Sequence, residues 1–335
     1  MIQSIERAAL HDELWRLARS RARILDLTTA EIAVHGGRSL VWDASAMPAG
    51  GHYFPIYARL LAQLEARGDI DPARHVLVET TTGTAGMALG WLARRLGYRL
   101  VLFMPEDMPA GRIAAVRAEL PEGSELRLTP AGEYVGGMVR TFRRYLALHR
   151  DGLDGLKLYP VDHSRRPEAV EALTGYLRDN VISRLPSKET LSFAVGALGN
   201  GTSSSALFTA CREIAPQVIR VGVEPSEAPV AFLRKHGDGA FADGPRRSVD
   251  SGPHALLGTG GWGVTFPFLD VDEIDCVFPV GPDAWRARQA AFAGAGMDLG
   301  NSSAACQSVV HRLLSSAQGR GLTALSILYD RLRHY

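Results

Sequence analysis

Short runs rich in β-branched and aliphatic residues alternate with runs of helical period along most of this chain. Strands are predicted at His75–Glu79, Arg99–Met104, Glu125–Thr129, Leu156–Tyr159, Leu191–Val195, Val218–Val223, Glu273–Phe278 and Thr323–Tyr329. Between them, helical spacing of apolar residues runs over Gly86–Leu96, Ala110–Glu119, Tyr134–His149, Pro167–Ser183, Ser203–Ile214, Ala284–Ala293 and Ser303–Ser316. Gly97 closes the first of these helices, and Pro167 stands where the first turn tolerates a missing N–H. An amphipathic helix opens the chain over Met1 to Leu17. Strand–helix alternation of this kind predicts an α/β fold with a doubly wound, mostly parallel sheet, or two of them. The Gly152–Gly155 turn is a candidate crossover between domains, and Lys235 to Gly258 reads as the least ordered stretch.

Composition narrows the class. The 335 residues are 46% hydrophobic, enough for one long or two medium domains. Thirty-seven basic residues against 36 acidic give a net charge of +1, so no basic field draws nucleic acid or an anionic membrane. Arg140, Arg143 and Arg144 read as a solvated helix face. Cys211, Cys276 and Cys306 form no disulfide or zinc spacing and read as buried small hydrophobes. No metal site is expected. With no apolar run of membrane length and no leader-like segment, the expectation is a soluble cytoplasmic protein.

Candidate chemistry lies where strands turn into helices, because helix N-termini present unpaired N–H groups and partial positive charge. Glu79-Thr80-Thr81-Thr82-Gly83-Thr84-Ala85-Gly86 is such a turn. It reads either as a cradle for a carboxylate or as a hydroxyl-rich N-cap. Gly196 to Ser205 is a second; its close glycines let the backbone approach a phosphate, although no Walker lysine follows. Gly252 to Gly261 holds His254, read as a structural histidine, and Gly300-Asn301-Ser302-Ser303 reads as a helix cap.

Together these segments resemble, in order and spacing, the cysteine synthase and cystathionine β-synthase family. These are pyridoxal 5′-phosphate (PLP) enzymes of fold type II, with a tryptophan synthase β-like fold. Thr82-Gly83-Thr84-Ala85-Gly86 resembles the S-G-N-T-G substrate loop, and Gly199-Asn200-Gly201-Thr202-Ser203 the G-T-G-G-T phosphate loop. Val221 to Pro225 matches a strand signature, Gly252 to Gly260 resembles G-P-H-K-I-Q-G-I-G, and Gly300-Asn301-Ser302-Ser303 resembles G-I-S-S. The resemblance implies two doubly wound α/β domains, a smaller one over 40–150 and a larger one over 1–39 plus 151–335. It implies substrate contacts at Thr81, Thr82, Gly83, Thr84 and Ala85. It implies cofactor contacts at Gly199, Asn200, Gly201, Thr202, Ser203 and Ser302, and a homodimer by analogy.

The departures fall on the chemistry. Pro48-Ala49-Gly50-Gly51-His52-Tyr53 resembles P-x-G-S-x-K, whose lysine forms the imine with PLP; a phenol cannot. Lys157, Lys188 and Lys235 are the chain's lysines, and none falls in a motif of the resemblance. PLP, if it binds, is expected to be held without a lysine link. Three readings follow. One is an enzyme of altered chemistry acting on a small anionic amino-acid or phosphate-bearing ligand by elimination, replacement or cyclisation, with Tyr53 and His52 as acid–base groups. Another is a non-catalytic pseudoenzyme that senses a metabolite or binds a protein. The third is a PLP-dependent synthase or lyase with a lysine placed elsewhere.

Overall fold

The structure is a computed structural model that describes residues 2–186, 190–237, 254–260 and 266–331. In chain order the strands are β1 (Ile24–Asp26), β2 (Arg38–Asp43), β3 (His75–Thr80), β4 (Arg99–Pro105), β5 (Glu125–Thr129), β6 (Lys157–Pro160), β7 (Leu191–Ala197), β8 (Ile219–Pro225), β9 (Cys276–Val280) and β10 (Thr323–Leu328). The helices are α1 (Ile2–Ser20), α2 (Ala30–Ala33), α3 (Tyr53–Ala66), α4 (Thr84–Leu96), α5 (Ala110–Glu119), α6 (Tyr134–Leu148), α7 (Pro167–Asn180), α8 (Thr202–Ile214), α9 (Val230–His236), α10 (Pro282–Gly294) and α11 (Asn301–Leu314). The mostly parallel α/β architecture expected from the alternation is present. All the expected strands lie within one to three residues of their places. Elements with no clear period, β1, β2 and α3, come in addition.

The chain divides into two compact units. The first comprises residues 2–21 and 45–172, and the second 22–44 and 173–331. These boundaries differ from those expected from the sequence, 40–150 in one domain and 1–39 plus 151–335 in the other, with a crossover at Gly152–Gly155. Two sets of contacts explain the difference. Glu65 on α3 draws α1 into the first unit: its carboxylate accepts Arg7 Nε–H at 2.6 Å, Tyr98 O–H at 2.9 Å, and stands 2.9 Å from His11 Nε2. These partners outweigh burial and pull the Glu65 carboxyl down to about 2. Strand β2 goes to the second unit because it pairs in parallel with β10, Leu40 opposite Leu325 and Val41 opposite Ser326.

In the first unit the four strands run in the order β5-β4-β3-β6, all parallel. In the second the order is β1-β2-β10-β7-β8-β9, parallel except for the β1–β2 pair. Central strands buried on both faces read as continuous apolar runs. Leu77, Val78, Leu100 and Leu102 fill the first sheet, and Ala194, Val195, Val221, Leu325 and Ile327 the second. The β-carboxyl ends of these strands carry the loops from which ligand sites are built.

Cys211 and Cys306 are buried, and burial pushes the Cys306 thiol up to about 12 and the Cys211 thiol higher still. Cys276 departs from the expectation: as the first residue of the edge strand β9 it is exposed. Arg140, Arg143 and Arg144 lie on the exposed face of α6, with Arg140 paired to Glu133 at 2.9 Å. No described helix is long and apolar enough to cross a membrane.

Candidate functional site

The turn that delivers Tyr53 is tightly built. Ala49 and Gly50 both take left-handed φ values, 59° and 70°. For Ala49 that conformation costs energy, and residues held in it cluster at functional sites. The chain then enters α3 with His52 as its cap and Tyr53 as its first residue. His52 is buried and Tyr53 is half-exposed, their rings 4.1 Å apart between centroids.

Around them lies a cluster that sequence reasoning did not assemble. Glu79, near the carboxyl end of β3, is 1% exposed, and His163, just beyond β6, is 3% exposed. The two meet because β3 and β6 are parallel neighbours. His163 Nδ1 stands 3.0 Å from Glu79 Oε2 and 2.8 Å from the Tyr57 hydroxyl. Glu79 Oε2 also accepts the His163 backbone N–H at 3.1 Å and the Tyr57 O–H at 3.3 Å, while Oε1 accepts Thr80 N–H at 2.8 Å. Tyr53 stands edge-on to the His163 ring with centroids 5.0 Å apart.

The electrostatics follow from burial and partners. Burial works against a charge on Glu79, but the contacts with His163 and the two backbone N–H groups outweigh it and hold the carboxyl below its ordinary value. Burial, reinforced by His163, pushes His52 down to about 3, so at neutral pH its imidazole is uncharged and a weak base. Burial beside Glu79 raises the Tyr57 phenol well above its ordinary value. Asp162, held at φ 44°, is raised by burial and by the Glu79 charge. Of the two residues the sequence offered as acid–base groups, His52 is thus a neutral wall beside Tyr53.

The threonine turn between β3 and α4 combines both readings left open by the sequence. Thr81 is the capping residue: its Oγ1 accepts the N–H groups of Gly83 at 2.9 Å and Gly86 at 2.8 Å. Thr82 and Thr84 are half-exposed, and Gly83, at φ 142°, and Ala85 are buried. Capping by Thr81 leaves the N–H groups of Thr84 and Ala85 without a partner among the hydrogen bonds of the described residues. Gly83 is required here for a second reason. A Cβ would meet the Arg112 side chain at 2.6 Å, and Arg112, itself 2% exposed, donates to Thr82 O at 3.4 Å. A buried guanidinium from α5 therefore lies against the turn and adds positive charge to the open amides. Arg112 is 30 positions from Thr82, and nothing in the pattern of α5 marks it.

In the second unit the turn Gly199-Asn200-Gly201 leads into α8. Gly201 has φ 90°, and a Cβ there would overlap the backbone of Phe268. Asn200 Oδ1 accepts Thr202 N–H at 3.0 Å. Thr202 Oγ1 is buried with no hydrogen-bond partner among the described residues, and Ser203 is half-exposed. Ser302 is buried in the first turn of α11, a helix that packs against β7. An orphaned hydroxyl at a helix start suits a phosphate-bearing ligand.

The described lysines do not complete a covalent site. Lys157 is exposed and pairs with His75 at the amino end of β3, five residues from Thr80 and so about 17 Å along the strand. Lys235 Nζ donates to Val271 O at 3.4 Å. Lys188 lies outside the described residues, as do 238–253 of the stretch read as least ordered and Gly252, Pro253 and Gly261 of the third turn. His254 is lowered by burial. The orphaned Thr202 hydroxyl and the start of α8 fit a phosphate group such as that of PLP. No metal-binding cluster of His, Cys, Asp and Glu occurs among the described residues.

Known proteins resemble this chain in both sequence and fold. The sequence model of a family described as pyridoxal-phosphate dependent enzyme matches residues 33–325. A cysteine synthase of Staphylococcus aureus is 25% identical over 291 residues, 86% of this chain and 84% of that protein. A probable cysteine synthase of Bacillus subtilis is 26% identical over 250 residues, 74% of this chain and 72% of that protein. Among solved structures, a hydrogen sulfide-producing enzyme from Fusobacterium nucleatum has a TM-score of 0.78 at 18% identity, covering 95% of this chain and 97% of that one. A lysine-to-alanine mutant of O-ureido-L-serine synthase with O-ureido-L-serine bound also has a TM-score of 0.78. It is 21% identical and covers 94% of this chain and 89% of that one.

Proposed function

The chain belongs to the pyridoxal-phosphate dependent enzyme family, and from that premise we propose that it is a cysteine-synthase-like member whose rebuilt pocket works without a lysine-bound cofactor. It takes a small anionic amino acid or phosphate-bearing ligand. The observation that carries this reading is Tyr53. The position that the resemblance equates with the imine lysine opens α3 as a half-exposed phenol, beside a buried glutamate–histidine pair.

Thr84 N–H, Ala85 N–H and the Arg112 charge receive a carboxylate. Thr202 Oγ1 and the start of α8 receive a phosphate. PLP bound there would supply an electron sink for chemistry at an amino acid's α or β carbon. Within the first unit, the open amides of Thr84 and Ala85 orient a carboxylate and Tyr53 is offered as a proton donor or acceptor. That a mutant of a structural neighbour, altered at a lysine, holds O-ureido-L-serine supports amino-acid binding by this fold. By family analogy the assembly is a homodimer.

The test is a titration of the dialysed protein with PLP, inorganic phosphate and L-amino acids, followed by borohydride and peptide mapping. Binding that dialysis reverses, with no pyridoxyl-lysine peptide, is expected. A borohydride-stable pyridoxyl-lysine from this chain overturns the reading and points to Lys188 or another lysine. The mutual satisfaction of Glu79, Tyr57 and His163 favours a second reading, a pseudoenzyme that senses a metabolite. Binding without turnover of any amino-acid substrate selects it.

A further inference from the structure

The second unit holds a cavity that none of the chemistry above uses. It has a volume of about 420 Å³ and lies between α8 and residues 268–274. That volume is within the range of small-molecule sites. We propose that this cavity is a second binding site, that it takes an L-amino acid with an apolar side chain, and that its occupant acts on the phosphate turn of α8. The last part rests on the reading that Thr202 and the start of α8 hold a phosphate.

The wall of the cavity is apolar. Phe208 is 6% exposed and Ile274 3%, while Phe268 and Leu269 are half-exposed beside them. Such a wall favours a branched aliphatic or aromatic side chain, because burying apolar surface is what it rewards.

The charges at the rim select the rest of the ligand. Five charged side chains line the cavity: Arg212, Glu213, Arg220, Asp270 and Glu273. Three are already matched. Arg220 donates from Nε and Nη2 to Asp275 at 3.0 and 3.1 Å and from Nη1 to Glu273. Glu213 faces Arg178 at 3.2 Å. Two keep capacity to spare. Arg212 is 44% exposed, and its ion pair is with Asp275, 3.8 Å away and already committed to Arg220. Asp270 is exposed, accepts the Asp272 N–H through one oxygen at 3.0 Å, and makes no ion pair among the described residues. One cation and one anion beside an apolar wall complement the carboxylate, the ammonium and the side chain of a single zwitterion.

The coupling is built into the wall. Phe268 O accepts the Ser205 Oγ–H, and a Cβ on Gly201 would meet the Phe268 backbone at 2.3 Å. The segment that closes the cavity on one side thus braces the phosphate turn on the other. A ligand tied to Arg212 on α8 and to Asp270 on that segment holds the two together in the braced arrangement. Phosphate binding tightens when the cavity is filled, and by reciprocity phosphate tightens the amino acid by the same factor.

Calorimetric titration of the intact chain with L-leucine tests this. Binding is expected, and it is expected to weaken about tenfold or more for isoamylamine and isocaproate, which lack the carboxylate and the ammonium respectively. Arg212→Ala and Asp270→Asn, both at exposed positions, are expected to weaken L-leucine by a similar factor of about ten. With L-leucine saturating, affinity for inorganic phosphate is expected to rise about fivefold. No L-leucine binding at millimolar concentration, or binding that both variants leave intact, overturns the site. An amine or an acid that binds as tightly as L-leucine overturns the ligand class. Phosphate affinity that is the same with and without L-leucine overturns the coupling. A wild type that binds L-leucine in the expected pattern but no phosphate loses the phosphate reading, and the coupling with it, and keeps the site.

Discussion

His163 Nδ1 lies 3.0 Å from Glu79 Oε2, and 84 residues of chain separate the two side chains. Both are almost wholly buried, so the pair is worth most as a pair. Removing a buried carboxylate acceptor leaves its donors unsatisfied, at about 1–3 kcal/mol. Glu79→Gln also turns an amide N–H toward the donors it must accept. A loss of about 3 kcal/mol in urea-unfolding free energy is expected.

The same carboxylate gives a pH dependence of definite sign. Its folded-state value is depressed, so its contribution is present above the unfolded value of 4.5 and fades as pH falls below it. Glu65, drawn down to about 2, adds a term of the same sign over the window from 4.5 to about 2. Melting temperature measured from pH 6 downward is expected to fall in that window, less steeply in Glu79→Gln.

Glu224 has the opposite sign. It is buried at the carboxyl end of β8 and accepts N–H from Ala231 at 2.9 Å and Phe232 at 2.7 Å. Burial outweighs those bonds and raises it to about 7. The neutral acid therefore stabilises fully below 4.5, and this stability is lost as pH rises through about 7. Glu224→Gln is expected to remove the loss of stability that wild type shows between pH 5 and pH 8. Paired chemical denaturation at the two pH values checks it.

Two threonines one position apart are expected to separate stability from binding. Thr81→Val removes the cap on Gly83 and Gly86 and costs about 1–2 kcal/mol of stability. Thr82→Val leaves those bonds intact, so its melting temperature stays within a degree or so. If the Thr82 hydroxyl meets a charged ligand oxygen, binding weakens about tenfold to a hundredfold. Calorimetric melting and ligand titration of both variants decide.

Tyr53→Phe and Tyr53→Lys probe the loss of the amine. The first keeps the ring packing against His52 and His163 and removes the phenol, so it is expected to spare ligand affinity and abolish turnover. The second is expected to bind PLP covalently and develop its visible absorbance, stable to borohydride. A Tyr53→Lys protein that stays colourless in excess PLP would show that more than the imine has been lost.

How far the sequence carried the structure depends on where each element buries its side chains. Strands such as β3 and β7, followed by glycine-bearing turns and one-sided helices, were legible from period and punctuation. Helix α3 was not: Phe54, Pro55, Ile56, Tyr57 and Ala58 are consecutive buried residues, so its first turns show no apolar stripe. Strand β2 hides similarly, as five buried residues in a row beside a short antiparallel edge. The site divides the same way. The threonine and glycine turns could be seen because turns need particular residues locally. Glu79, His163 and Arg112 could not, because what joins them is strand order and helix packing. Asp162-His163-Ser164, one residue beyond β6, was the available signal: three polar residues past a strand's carboxyl end, two of them buried.

The register of β2 also sets an order of events during synthesis. Leu40 and Val41 pair with Leu325 and Ser326, at nearly the opposite end of the chain. At about 5–20 residues per second, the ribosome needs roughly a quarter of a minute to a minute to make that partner. Throughout that interval the first strand of the second unit has no β10 edge to join, and its Leu40-Val41-Trp42 segment must be shielded by other means. The first unit has all its strands once β6 has emerged. Newly made chains halted before residue 323 are thus expected to carry one completed sheet and one sticky, unfinished one, making this protein a natural client for chaperones that hold apolar segments until a late-arriving strand completes the sheet.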